Sequence, residues 1–167
     1  MAFSFAYSLD GDGAPVVIDY DLTAPATYTP ATGDLVKFDA NGKVVGKHVV
    51  GDAASTKIGV SVGSNFLGLA AGGTLAATTS SLYQPSALGK VYADPNAVFR
   101  VNISSSTAIV VGTTYGITTV SGDQQLDPSA TASNNRLMVV DFDRSAYGGA
   151  PNGYAYVTIQ STNRLNG

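Results

Sequence analysis

A single histidine, His48, and twelve aspartates are the acid–base side chains of this 167-residue sequence, in which cysteine and glutamate are both absent. A histidine acting as general base needs a positioned hydroxyl and an orienting acid. Nothing around Lys47-His48-Val49-Val50 has the form of a nucleophile elbow, so His48 is expected on the surface of a hairpin. Three aspartate pairs stand two residues apart: Asp10 and Asp12, Asp19 and Asp21, Asp141 and Asp143. Residues i and i+2 share one face of a strand, so each pair could chelate Ca²⁺ or work as an acid–base couple.

The bland reading of these pairs is turn residues and solvated strand ends. Asp10-Gly11-Asp12-Gly13 has the opening spacing of a calcium loop. An EF-hand also needs a bidentate Glu at its twelfth position, and the chain has no Glu. The lack of cysteine removes disulfides, thiolate catalysis and zinc–thiolate sites together. The expectation is therefore a protein without catalytic residues, metal or cofactor.

The N-terminus offers a different chemistry. Phe3, Phe5, Tyr7 and Leu9 alternate with Ala2, Ser4, Ala6 and Ser8, the period of a strand with one apolar face. Two readings stay open. The stripe is a first strand packed into the domain's own core, or residues 1–22 form an arm whose Phe3, Phe5, Tyr7 and Leu9 engage a partner's sheet edge.

The elements that would position these residues are strands. All acids are Asp, which favours turns, and 19 glycines and 7 prolines punctuate the chain. Asp34 opens a hairpin, Leu35–Phe38 then Val44–Val45, with Asn41-Gly42 suited to a type I′ turn. Further strands are expected at 16–18, 57–62, 90–93, 98–103, 107–111, 115–120, 137–142 and 154–159. The 137–142 strand is expected to be buried on both faces for part of its length. Loops are expected at 23–33, 72–81, 148–153 and from Gly122 to Asn135. This is an all-β pattern of about eight to ten short strands with long loops, a small barrel or sandwich, with residues 23–167 as a single β domain.

Composition narrows the partners. The hydrophobic fraction of 44% can fill a core, and a charged fraction of only 13% argues against disorder. A net charge of −3 with scattered basic residues does not suit a phosphate-neutralising stripe, so no nucleic-acid partner is expected. No run approaches the length of a membrane span, and Met1–Leu9 lacks the charged start of a signal peptide, so neither membrane nor export is expected.

Residues 91–103, Val-Tyr-Ala-Asp-Pro-Asn-Ala-Val-Phe-Arg-Val-Asn-Ile, resemble an element of small tailed-bacteriophage capsid decoration (cement) proteins. Asp94, Pro95 and Phe99 carry the match, as structural rather than reactive residues. Gly33-Asp34-Leu35-Val36 and the 57–62 strand precede it in the family's order, and Gln125-Leu126-Asp127 and the strands at 136–142 and 156–159 follow it. The Ala/Thr/Ser-rich stretch at 70–87 departs from the pattern. The resemblance implies a β-barrel or β-tulip-like subunit on the outer capsid surface of the virion, made in the bacterial host cytoplasm. It also implies a homotrimer at local threefold positions and the major capsid protein as partner. The alternatives are another virion or surface module, such as a head fibre base, tail-tube protein or adhesin domain, and, less in keeping with the residues, an Asp-based metal hydrolase.

Overall fold

The structure, a computed structural model, describes residues 3–11, 17–21, 31–53, 55–66, 87–92, 94–129, 136–145 and 150–164. Eleven strands lie among them, in chain order β1 (Phe3–Ser8), β2 (Val17–Asp21), β3 (Leu35–Phe38), β4 (Val44–Lys47), β5 (Ile58–Phe66), β6 (Ala87–Tyr92), β7 (Ala97–Asn102), β8 (Thr114–Val120), β9 (Asp123–Asp127), β10 (Leu137–Asp143) and β11 (Tyr154–Ile159). One 3₁₀ turn, Ser161–Asn163, follows. The fold is all-β, as the turn-rich, Glu-free composition implies.

Two antiparallel sheets form. One has the order β1-β7-β11-β10-β8-β9 and the other β2-β6-β5-β3-β4. The first curls into a half-barrel. Its far strand returns to its near side, where Ile103 bridges Leu126 in parallel and the Ser104 amide donates to the Leu126 carbonyl at 2.9 Å. Inward side chains of both sheets share one core: Leu35, Ile58 and Val60 from the second meet Phe3, Phe99, Val101, Leu126, Leu137, Val139 and Val157 from the first. Burying each such side chain contributes roughly 1.5–3 kcal/mol.

β1 belongs to the first sheet. It pairs with β7, and Phe3 is 1% exposed within the shared core. The Phe3 amide also donates to the Gly33 carbonyl at 2.9 Å, next to the second sheet. The expected single apolar face does not persist along the segment. A bulge between Phe5 and Tyr7 makes Phe5 face Phe99 and Tyr7 face Val98, so one extra residue swings Tyr7 away from the core. Tyr7 is 42% and Leu9 54% exposed, while Ser8 turns inward.

The β3–β4 hairpin forms, but not on a type I′ turn. Gly42 has φ 75°, whereas Asn41 does not have positive φ. Asp39 organises the loop instead. Its Oδ1 accepts from the Asn41 and Lys43 amides at 2.8 and 2.9 Å, and its carbonyl accepts from Gly42 at 3.1 Å. The two-residue turn with both centres left-handed is Ser121-Gly122, with φ 51° and 86°, flanked by the Val120–Asp123 pair. The polar loop expected from Gly122 onward is therefore partly strand, β9.

Two further expectations change. The strand expected at 107–111 is irregular backbone. The Val110 amide donates to the Tyr115 hydroxyl at 2.9 Å, the Gly112 amide to the Val139 carbonyl at 2.8 Å, and Gly112 is left-handed, so no ladder continues there. β10 alternates, with Leu137 and Val139 buried and Met138 and Val140 half-buried, so it is not covered on both faces. The readings made at 23–30, 70–86 and 146–149, and that for Asp12, fall outside the described residues. The side chains of Asp19 and Asp21 do as well.

Candidate functional site

His48 lies just beyond the end of β4 and is 2% exposed, not at a hairpin surface. Its backbone amide donates to the Leu35 carbonyl at 2.8 Å, which continues the β3–β4 ladder and keeps the residue beside β3. The ring meets two charges. Nδ1 is 2.9 Å from Asp52 Oδ2, and Nε2 is 3.3 Å from Arg136 Nη1. A guanidinium only donates, so Nε2 accepts and Nδ1 carries the proton shared with Asp52. The imidazole is thus held neutral. Burial first, then the Arg136 charge, pushes its pKa down to about 4, against the opposing pull of Asp52.

Asp52 collects donors from three directions. Lys37 Nζ lies at 2.6 Å, the Val49 amide at 2.7 Å and His48 at 2.9 Å. Burial raises its pKa, but the Lys37 and Val49 hydrogen bonds outweigh burial and hold it below the usual carboxylate value. Among the described residues Arg136 is the largest fully buried side chain, and it enters at the start of β10. Its Nη2 donates to the Asp52 carbonyl at 2.8 Å and also to the Ala53 carbonyl, while Nε has no hydrogen-bond partner. Burial lowers its pKa and Asp52 opposes that shift.

Gln124 of β9 completes the cluster. Its Oε1 accepts from the Leu35 amide at 2.7 Å, and Nε2 donates to the Leu35 and His48 carbonyls at 3.0 and 2.8 Å. The chemistry of this assembly is cross-linking. A histidine–aspartate couple becomes a proton acceptor only through its outer nitrogen, and here Arg136 occupies that nitrogen. The residues come from β3, β9, β10 and the loop after β4, so they tie the second sheet to the first.

A second polar group joins the N-terminal strand to the Asp94-Pro95-Asn96 turn. Ser8 Oγ lies 2.5 Å from Asp10 Oδ1 and 2.9 Å from Asp94 Oδ2, and its one proton serves one carboxylate at a time. Asn96 donates its amide to Asp94 Oδ1 at 2.8 Å and its side chain to Asp10 Oδ2 at 3.1 Å. Asp94 caps the turn that launches β7, Pro95 is exposed at its corner, and Phe99 is buried with its ring 5.4 Å from that of Tyr92. Asp141 and Asp143 instead cap their own strand end, accepting from the Phe142 and Ser145 amides at 2.8 Å each. Among the described residues no group of three or more His, Cys, Asp or Glu side chains is placed to hold a metal.

The four residues of the N-terminal stripe are divided between two surroundings. Phe3 is in the core and Phe5 packs against it, its ring stacked 5.7 Å from Tyr92. Tyr7 reaches the outer face of the half-barrel, 6.3 Å from the Tyr156 ring at 36°, and Leu9 follows in the exposed turn. There Ser4, Phe5, Ala6, Tyr7, Arg100 and Tyr156 line an open groove of about 540 Å³. The guanidinium of Arg100 lies 4.7 Å over the Tyr154 ring. None of Gln124, Arg136, Arg100 and Tyr156 stands in a sequence pattern that points to function. The one local signal was a basic residue, Arg136, heading an apolar strand.

The outer turns also display aliphatic side chains. Val110 and Val111 are 60% and 53% exposed, and Val49 and Val50 are exposed in the loop that carries Asp52. Comparison of the chain with family models, with curated proteins and with solved structures finds no match in any of the three.

Proposed function

We propose that this chain is a capsid decoration subunit of a tailed bacteriophage. In this reading it binds the outer surface of the assembled shell and stabilises contacts between major capsid protein subunits. The observation that carries the reading is the exposed pair Val110-Val111, held out on a turn of a cross-linked sheet frame. Paired aliphatic side chains cost solvation until a partner covers them. A frame tied by buried hydrogen bonds presents them without further ordering, which favours binding. The resemblance of residues 91–103 to cement proteins supplies the partner, the major capsid protein, and the homotrimer at local threefold positions. A protein that binds the assembled shell and not its dissociated subunits stabilises the shell by mass action, and many copies on one lattice reinforce the effect.

The test mixes the purified chain with expanded, undecorated capsids and follows co-sedimentation. Binding at a stoichiometry matching local threefold sites is expected, along with loss of binding in a Val110→Asp, Val111→Asp double variant that melts as the parent does. Absence of co-sedimentation, together with ring or fibre formation by the chain alone, replaces the decoration reading with a tube or fibre module.

A further inference from the structure

The outer face of the half-barrel carries a row of side chains with a definite polarity. Across four neighbouring strands, Ser4 of β1 pairs with Arg100 of β7, Arg100 with Tyr156 of β11, and Tyr156 with Asp141 of β10. Directly paired residues share a face, so these four point the same way. Strands lie about 4.8 Å apart, which sets the Arg100 and Asp141 backbones roughly 10 Å from each other with the Tyr156 ring between them. The bulge after Phe5 adds Tyr7 to the same face, 6.3 Å from Tyr156. The groove formed there, about 540 Å³, falls within the range of small-ligand sites.

We infer that this groove is a binding site for an acidic saccharide, with the sugar ring against Tyr156 and Tyr7, its carboxylate on Arg100 and its hydroxyls on Asp141. Three features select that class. The face of a tyrosine ring is electron-rich, and the C–H face of a pyranose is its complement. The Arg100 guanidinium has no carboxylate partner among the described residues and is steadied on the Tyr154 ring, so its fork is free to take a carboxylate with two parallel hydrogen bonds. Asp141 is exposed at the opposite end of the row, where a ligand bearing hydroxyl donors gains and a second anionic group loses. A uronic or sialic-type sugar has an apolar face, one carboxylate and several hydroxyls. A simple carboxylate or an acidic peptide satisfies Arg100 alone. This inference does not depend on the capsid reading, and it places a ligand on a face remote in sequence from Val110-Val111.

The full chain is titrated with three probes, tetragalacturonate, sialyllactose and a hyaluronan tetrasaccharide, and binding is followed by ¹H–¹⁵N chemical shifts. Cellotetraose and a capped Gly-Asp-Gly peptide serve as comparisons. Saturable binding of at least one acidic saccharide is expected, with shifts centred on Tyr7, Arg100 and Tyr156. Affinity is expected to fall roughly tenfold or more for cellotetraose and in Arg100→Gln, in keeping with the loss of a charge-assisted pair. Tyr7→Ala, at a position 42% exposed, is expected to weaken binding while lowering the melting temperature by no more than a few degrees. Failure of all three saccharides to bind overturns the inference, and so does binding indifferent to Arg100→Gln. Equal affinity for the acidic peptide reassigns the groove to a protein carboxylate.

Discussion

The side chain of Gln124 pairs with the backbone of Leu35 as a neighbouring strand would, accepting from its amide at 2.7 Å and donating to its carbonyl at 3.0 Å. The two residues are 89 positions apart and lie in different sheets. The second Nε2 proton goes to the His48 carbonyl, so the buried amide has every donor in use. One side chain thereby closes the seam between the half-barrel and the second sheet.

Replacing that amide should be costly. Gln124→Leu keeps much of the volume but leaves the buried Leu35 amide and His48 carbonyl without this partner. A loss of roughly 2–4 kcal/mol is expected from unsatisfied buried groups, read as a lowered urea midpoint. Gln124→Glu should not rescue, because its acceptors face two carbonyl oxygens. A Glu variant as stable as the parent would remove Gln124 from this role.

Acid should loosen the same seam. His48 titrates near 4 in the fold and near 6.5 when unfolded, so between those values the unfolded chain binds more protons. Its contribution is complete above about pH 6.5 and is lost as the pH falls toward 4, on the order of 3 kcal/mol in all. Asp52, held below its usual value, shifts stability in the same direction at lower pH. Thermal melts from pH 7 to 4 should show the fall, and His48→Gln should flatten it. An unchanged slope in that variant would show that another group carries the acid response.

Arg136 tests the electrostatics separately. Arg136→Met removes the cation beside His48 and the donors to the Asp52 and Ala53 carbonyls. The His48 pKa should rise, because one of the two causes that depress it most is gone, while burial remains. Stability should drop by about 3 kcal/mol, as when one partner of a buried polar network is removed. Histidine NMR titration and urea unfolding measure the two effects independently.

The N-terminal strand should divide by position. Phe3→Ala opens a core cavity and should cost about 3–5 kcal/mol. Tyr7→Ala and Leu9→Ala, on exposed side chains, should each cost under about 1 kcal/mol. Equal losses at Phe3 and Leu9 in denaturant unfolding would contradict the core placement of Phe3.

Ser121 offers a stabilising change. It is the one non-glycine residue with positive φ among the described residues. Ser121→Asn at the head of its type I′ turn should raise stability by about 0.5–1 kcal/mol, since Asn tolerates left-handed backbone better. Calorimetry on the two proteins decides it.

What the sequence determined by itself was local. Period-2 alternation marked β1 and β7, short apolar runs between turn residues marked most of the other strands, Asp-Pro-Asn marked the turn before β7, and Asn41-Gly42 marked a hairpin. These signals arise within a few neighbouring residues, where pleating and turn sterics act directly. The tertiary structure decided the rest. Asn-Gly became an Asp39-organised loop and the type I′ geometry went to Ser121-Gly122, because strand register, not the dipeptide, sets the turn length. An inserted residue after Phe5 sent Tyr7 outward to meet Arg100 and Tyr156, and no alternation pattern announces a bulge. Gln124 and Arg136 reach His48 from 76 and 88 positions away along the chain. Sheet order alone brings them together, and sheet order depends on the shared core rather than on any short stretch of chain.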